Sequence, residues 1–373
     1  MDITNKILII TVENWEGLAR LPKALKDEGF KVGVICPPNS FISKTKYLDQ
    51  IFLISKKTYG IAMLRKIVNI INCWNPTLIV PGDDWIVGFL HHWIIAYKEN
   101  KTKEIYGHSS KCLISSFGDP KYFRCTTSKK DINTLAISLN VRCPKQVILE
   151  NKENIQTTAY NIGYPLVLKQ EFSSGGNGVR ICFSEDELSF YFETFREERR
   201  KGNNTLIQEY VDGKTIMSSC ISVSGEVLSS ITALKKKTYP EVTGPSTVIT
   251  VQDKNEIIQA TRTLLMHLKY TGFSSFDFIL DDNKNLTYLL EMNPRPTPIC
   301  HLGKILGHNL CKALFLKLNG YTGKHHPLST SVYNVALFPQ EWRRDQNSPF
   351  IKEFYHDVPW EDIDLLKAYV NAS

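Results

Sequence analysis

Lys169 ends an apolar run, YPLVLKQ, and is followed by Ser173, Ser174, Gly175, Gly176, Asn177 and Gly178 before a second run, VRICFS. Strand, glycine-rich turn and strand together make a phosphate lid. Glycines let backbone N–H groups come close to phosphate oxygens at left-handed angles, and a lysine on the neighbouring strand adds a point charge. This is not the GxxxxGK[ST] loop, because the lysine precedes the glycines and no helix-opening Ser or Thr follows. Taken alone, a glycine-rich hairpin is as often structural as functional.

A second segment, GFSSFDFILDDNKNLTYLLEMNPRP over residues 272 to 296, reads as two alternating strands joined by a turn-rich stretch. Glu291 and Asn293 are two apart and project from one face. Asp277 joins them if it lies opposite Glu291, a register that leaves a five-residue loop from Asp282 to Leu286. Three hard oxygen donors with open positions for phosphate and water suit Mg²⁺. The competing reading is a solvent-facing strand with polar alternation. Asn-Pro-Arg-Pro argues against it by fixing an irregular backbone where Arg295 reaches an anion. A third segment, TLIQEYVDGKTI over residues 205 to 216, resembles any edge strand entering an Asp-Gly turn, and gains value only from lying between the other two.

The elements that must carry these residues follow from apolar period. KILIITV and KVGVI are β-branched runs flanking a helical stretch that stops at Gly29, a βαβ opening. AMLRKIVNIINCW then leads into PTLIVPGDD, whose acidic end belongs at the carboxyl edge of a parallel sheet, where ligands bind. Asp83 and Asp84 there suit a substrate wall, with a turn-forming Asp pair as the alternative. From about residue 121 the pattern changes: KKDINTLAISLNV is an amphipathic helix closed by Pro144, and short strands with Gly/Asn/Asp turns continue to about residue 330. The expected division is 1–120, 121–205, 206–330 and a C-terminal appendage, 331–373, that packs back on the body.

With 373 residues, 42% hydrophobic and 22% charged, the chain can bury cores for two or three domains. The net charge of +7 is dispersed except at Arg196 to Lys201 and Lys235 to Lys237, read first as solvated faces or anion contacts, so nucleic acid is not an expected partner. Nine cysteines without a CxxC pair fit a reducing, cytoplasmic compartment. The N-terminus reads as a first strand, not a signal peptide. Gly88 and the His91/His92 pair interrupt the longest apolar segment, Trp85 to Tyr97, so no membrane span is expected.

In order and spacing, these segments resemble the ATP-grasp superfamily, notably stand-alone ligases related to carbamoyl-phosphate synthetase and D-alanine–D-alanine ligase. The resemblance covers about residues 120 to 325 and implies α/β and α+β architecture: an ATP-grasp fold with an N-terminal Rossmann-like preATP-grasp domain. It implies nucleotide contacts from Lys129 and Lys169, a lid over the phosphates including Ser174, Gly175, Gly176 and Gly178, and an adenine hinge at Gln208, Glu209 and Val211. It also implies metal ligation by Asp277, Glu291 and Asn293, and an Arg295 that steadies the transferred phosphoryl group. Many relatives carry a ribose-binding Glu where this chain has Thr215, so the ribose contact is altered or supplied by Lys214 or a neighbour. KKKTYPEVTGPST, residues 235 to 247, is similar to a loop that reaches the acceptor side, or is an exposed basic connection. His301 and His308 are assigned no catalytic part, since a lone histidine near a helix start is usually a structural hydrogen-bonder.

The activity implied is activation of a carboxylate as an acyl phosphate by ATP with Mg²⁺, or Mn²⁺ in its place. Capture by a small-molecule amine then releases ADP and phosphate. A different nucleophile (thiol or carboxylase type) and a non-catalytic nucleotide-binding module are the alternatives. A homodimer is the default assembly.

Overall fold

The computed structural model describes residues 5–55, 57–149, 155–173, 175–176, 178–197, 203–321, 323 and 333–372. Ser174 and Asn177 of the expected lid, and Lys201, lie outside the described residues.

The N-terminal layer runs β1 (Lys6–Ile10), α1 (Leu21–Asp27), β2 (Lys31–Cys36), β3 (Gln50–Leu53), α2 (Gly60–Trp74), β4 (Leu78–Pro81), α3 (Asp84–Lys98) and α4 (His108–Phe117). Its four strands are parallel in the order β3-β2-β1-β4, as the βαβ opening predicts. Strand alternation sorts the side chains: Leu8, Ile10, Ile35 and Ile79 pack under α2, α3 and α4, while Ile7, Ile9, Val32, Val34 and Val80 face α1 and a core shared with the large sheet described below. Met63, Leu64, Ile67, Val68 and Ile71 form the buried stripe of α2, which ends at Asn75 in the left-handed conformation.

Next come α5 (Phe123–Thr127), α6 (Lys129–Ser138), β5 (Gln146–Leu149), α7 (Ile155–Ile162), β6 (Leu166–Gln170), β7 (Val179–Cys182), α8 (Glu185–Glu197) and β8 (Thr205–Glu209). The strands form an antiparallel sheet, β5-β8-β6-β7, whose core includes Leu166, Leu168, Leu188, Phe195 and Ile207. The remainder is β9 (Lys214–Val223), β10 (Glu226–Thr238), β11 (Ser246–Val251), α9 (Asn255–Leu268), β12 (Gly272–Asp281), β13 (Leu286–Asn293), α10 (Leu310–Leu318), β14 (Asn334–Ala336), α11 (Gln340–Arg344), α12 (Pro349–Glu353), β15 (Tyr355–His356) and α13 (Ile363–Asn371). Seven of these strands form one sheet, β13-β12-β9-β10-β11-β14-β15.

The C-terminal segment therefore supplies strands to the large sheet, with Val335 opposite Ile249. It is also tied to the N-terminal layer through a buried cluster. Arg20 donates to the Asp357 carboxylate at 3.0 Å and to its carbonyl at 2.7 Å, and His301 Nε2 lies 2.7 Å from the other carboxylate oxygen. Among the described residues no helix is long and apolar enough to cross a membrane.

Candidate active site

The small and large sheets face each other across a cleft. Val167, Lys169, Ile181 and Gln208 come from one side; Thr215, Lys235, Asp277, Ile279, Leu290 and Glu291 come from the other. Strand period 2 explains Lys169: its neighbours Leu166 and Leu168 enter the core behind the sheet, while Lys169, bracketed by Val179 and Leu206, opens toward the cleft. Lys129 opens α6, whose N-cap Ser128 accepts a hydrogen bond from the Asp131 amide, and reaches across to donate to the Ser173 carbonyl at 2.6 Å.

Asp277 and Glu291 lie directly opposite each other on β12 and β13, as the expected register requires. The loop, however, is four residues, not five. A bulge between Asp277 and Phe278 leaves Leu290 unpaired, shifts the pairing to Phe278 with Leu289, and brings Asp281 opposite Leu286. With the alternation broken, Leu290 and Glu291 both line the cleft while Met292 is buried. Asn293 pairs with Ser275 and lines an adjoining chamber of about 650 Å³.

Each carboxylate is matched to a lysine. Lys235 Nζ donates to Asp277 Oδ2 at 2.8 Å, and Lys129 Nζ lies 3.2 Å from Glu291 Oε2. Burial raises the Glu291 pKa, but the ammonium groups of Lys129, Lys235 and Lys169 outweigh it and hold the carboxyl below its ordinary range. Lys169 is pushed down to about 7, by burial first and then by repulsion from Lys129. Among the described residues no three His, Cys, Asp or Glu side chains cluster closely enough to cage a metal. Two carboxylates and an amide fit a cation that keeps most of its shell for water and phosphate oxygens, as Mg²⁺ does.

Lys129, Lys169, Gly176, Gln208, Glu209, Val211, Asp277 and Glu291 thus share one cleft, while Gly178 and Asn293 line the chamber beside it. Gly175 is exposed and lines neither. Gly176 adopts φ +77° under the carbonyl of Thr243. Thr215 lines the cleft, whereas Lys214, one step along the strand, turns out to pair with Asp282 at 2.6 Å.

Three features escaped sequence reasoning. Lys235, read within a basic cluster, is the third cation of the cleft, and Val242, Thr243 and Gly244 line that same cleft, not the chamber beside it. Asp83 is not a substrate residue: it is 1% exposed, caps α3 through Ile86 N and accepts from Thr11 Oγ1, Val12 N and Glu13 N. Arg295 does not stand alone: Asp84, 211 residues away, grips it, accepting from Nε at 2.8 Å and Nη2 at 2.9 Å. The only signal for the Asp pair was its position at the carboxyl edge of β4.

Two facing sheets, with a glycine turn over a lysine-lined cleft and paired carboxylates at its floor, form the ATP-grasp fold. Residues 128–299 match the family model described as carbamoyl-phosphate synthase L chain, ATP binding domain. Among curated relatives, the carbamoyl phosphate synthase large chain of Clostridium perfringens is 25% identical over 186 residues, covering 48% of this chain and 17% of that protein. Biotin carboxylase 1 of Bacillus subtilis is 28% identical over 161 residues, 40% of this chain and 35% of that protein. The chain thus spans well under half the length of these relatives.

Solved structures share the fold over most of the chain. The biotin carboxylase domain of Hydrogenobacter thermophilus 2-oxoglutarate carboxylase, determined with MgADP, ADP and bicarbonate, superposes with a TM-score of 0.67 at 18% identity, covering 88% of this chain and 72% of that one. N5-carboxyaminoimidazole synthetase of Staphylococcus aureus, complexed with ADP, gives 0.63 at 14% identity, covering 88% and 79%.

Proposed function

We propose that this protein uses ATP to activate a carboxylate as an acyl phosphate and couples it to a small-molecule amine, releasing ADP and inorganic phosphate. The observation that carries this reading is the junction of the two cavities. Lys129, Ser173 and Glu291 line both, so a γ-phosphoryl group in the cleft and a carboxylate in the chamber meet over the same residues.

In this reading Val167, Ile181, Ile279 and Leu290 enclose the adenine and the main chain of Glu209 and Val211 reads its edge, with the Gln208 side chain nearby. Lys129, Lys169 and Lys235 neutralise phosphate oxygens, and Gly176 and Gly178 let the lid backbone approach them. Asp277, Glu291 and Asn293 would hold Mg²⁺, or Mn²⁺, whose charge would offset that developing during transfer. A carboxylate oxygen attacks the γ-phosphorus, the bridging P–O bond to ADP breaks, and ADP leaves with that electron pair. The amine nitrogen then attacks the acyl carbon and phosphate departs, taking up the amine's proton. No protein nucleophile is needed; placement and charge do the work.

The amine is received at the chamber's N-terminal wall, where Glu13 and Trp85 face the cavity. Burial first, then Asp83 and Asp84, hold the Glu13 carboxyl above its ordinary range, so an ammonium is a favourable neighbour. The default assembly is a closed homodimer.

The test is phosphate release from Mg-ATP over a panel of amino acids and small carboxylates, singly and in pairs, with Glu291→Gln as the blank. Release that requires one pair and falls at least ~100-fold in the variant is expected, the scale of losing a transition-state charge contact. Tight ATP binding with no substrate-dependent release would favour a non-catalytic nucleotide module.

A further inference from the structure

We infer that Asp84 is a positioning residue: it fixes the guanidinium of Arg295 beside the chamber wall that Asp84 and Pro294 form, leaving Nη1 for an oxyanion that enters there. This rests on the ligase reading only for the identity of that oxyanion, a substrate carboxylate or the phosphoryl group. The grip is bidentate and parallel, 2.8 and 2.9 Å, which sets the guanidinium plane as well as its place. It consumes Nε and Nη2. Nη1 is left with one long contact, 3.4 Å to the Pro296 carbonyl, although the arginine side chain is only 16% exposed. A mostly buried guanidinium with an underused donor is primed for an anion.

The surroundings hold the grip in place. Trp15 lies 5.7 Å from the guanidinium and donates its indole N–H to the Gly82 carbonyl at 2.8 Å, just before the Asp pair. Gly17 leaves room for that ring: a Cβ there would stand 2.2 Å from it. Asp83, spent on the loop after β1 and on the cap of α3, anchors the backbone from which Asp84 projects. Asp84 itself lines the chamber. The N-terminal layer therefore aims an arginine carried by the segment after β13.

The test is a double-mutant cycle on the full chain, read by calorimetric binding of inorganic phosphate, the probe oxyanion, to protein saturated with Mg-ADP. Asp84→Asn and Arg295→Ala are each expected to weaken phosphate binding about tenfold with ADP affinity unchanged within about twofold. The double variant should be no weaker than Arg295→Ala alone, and Asp84→Glu should restore part of the loss. Additive losses, an Arg295→Ala protein that binds phosphate normally, or parallel loss of ADP affinity would each overturn the assignment. A second readout needs no ligand. In the wild type the Arg295 side-chain nitrogen resonances should show slowed rotation about Nε–Cζ, released in Asp84→Asn; free rotation in both would also overturn it. A protein that passes these tests yet never turns over on the substrate panel would sink the ligase reading and leave the positioning role intact.

Discussion

Raising the pH from 7 to 9 strips the proton from Lys169 in the ligand-free protein, and a bound nucleotide must bring one back. Burial and the neighbouring Lys129 push this ammonium down to about 7, with Glu291 offsetting only part of the effect. In the proposed complex, triphosphate oxygens against Nζ supply the missing counter-charge and return the group to the ordinary lysine value of ~10.4. A group titrating at ~7 when free and ~10.4 when bound makes ATP affinity fall about 50-fold between pH 7 and pH 9, or ~2.3 kcal/mol. The sign is fixed: protons bind more tightly to the complex, so affinity is full below pH 7 and declines above it. Calorimetry of Mg-ATP binding in buffers of different ionisation enthalpy reads both the dissociation constant and the proton taken up, which should approach one at pH 9. Lys169→Arg supplies the control, because a guanidinium stays charged throughout and should flatten the profile. A wild-type dissociation constant that varies less than about twofold from pH 7 to 9, with no proton uptake, would refute the electrostatic account of the cleft.

Two further outcomes are expected. Gly176→Ala puts a Cβ 2.0 Å from the Thr243 carbonyl at a residue with φ +77°, so the lid must lift from the 242–244 loop; the KM for ATP should rise at least ~10-fold while the melting temperature moves by only a few degrees, as for a lost binding contact. Asp357→Ala strands Arg20 beside a buried His301 and should cost ~3–5 kcal/mol in urea unfolding, and a loss under ~1 kcal/mol would mean that the cluster relaxes into water.

The sequence exposes whatever depends on local period. The strand placement of Lys169, the βαβ opening and the pairing of Asp277 with Glu291 all follow from alternation and turn chemistry, and the structure carries each of them. The bulge at Leu290 has no such mark, since neither Gly nor Pro accompanies it, and the loop length shifts with it. Lys235 was hidden by its neighbours. In Lys235-Lys236-Lys237 the strand sends Lys235 into the cleft and lays Lys236 over Phe350 and Phe354, so a run that looks uniform divides by face. The Asp84–Arg295 contact spans 211 residues and arises from how the N-terminal layer packs on the large sheet, which no local pattern encodes.

The charge balance of the cleft ties these points together. Besides Glu209, whose Oε2 accepts from the Lys145 amide, two carboxylates and three lysines line it: Asp277 is paired with Lys235 and Glu291 with Lys129, while among the described residues Lys169 makes no ion pair within 4 Å. Half-buried carboxylates are tolerable in the ligand-free protein because lysines neutralise them, and the third, buried lysine is tolerable because it can surrender its proton. The same pairing bears on the proposed reaction. There Lys235 and Lys129 would turn to phosphate oxygens only if Asp277 and Glu291 found another cation, so the proposal requires nucleotide and divalent metal to arrive as a unit for the exchange of partners to cost little. A nucleotide alone would leave two half-buried carboxylates facing its own negative charge, and a metal alone would leave three lysines around a dication.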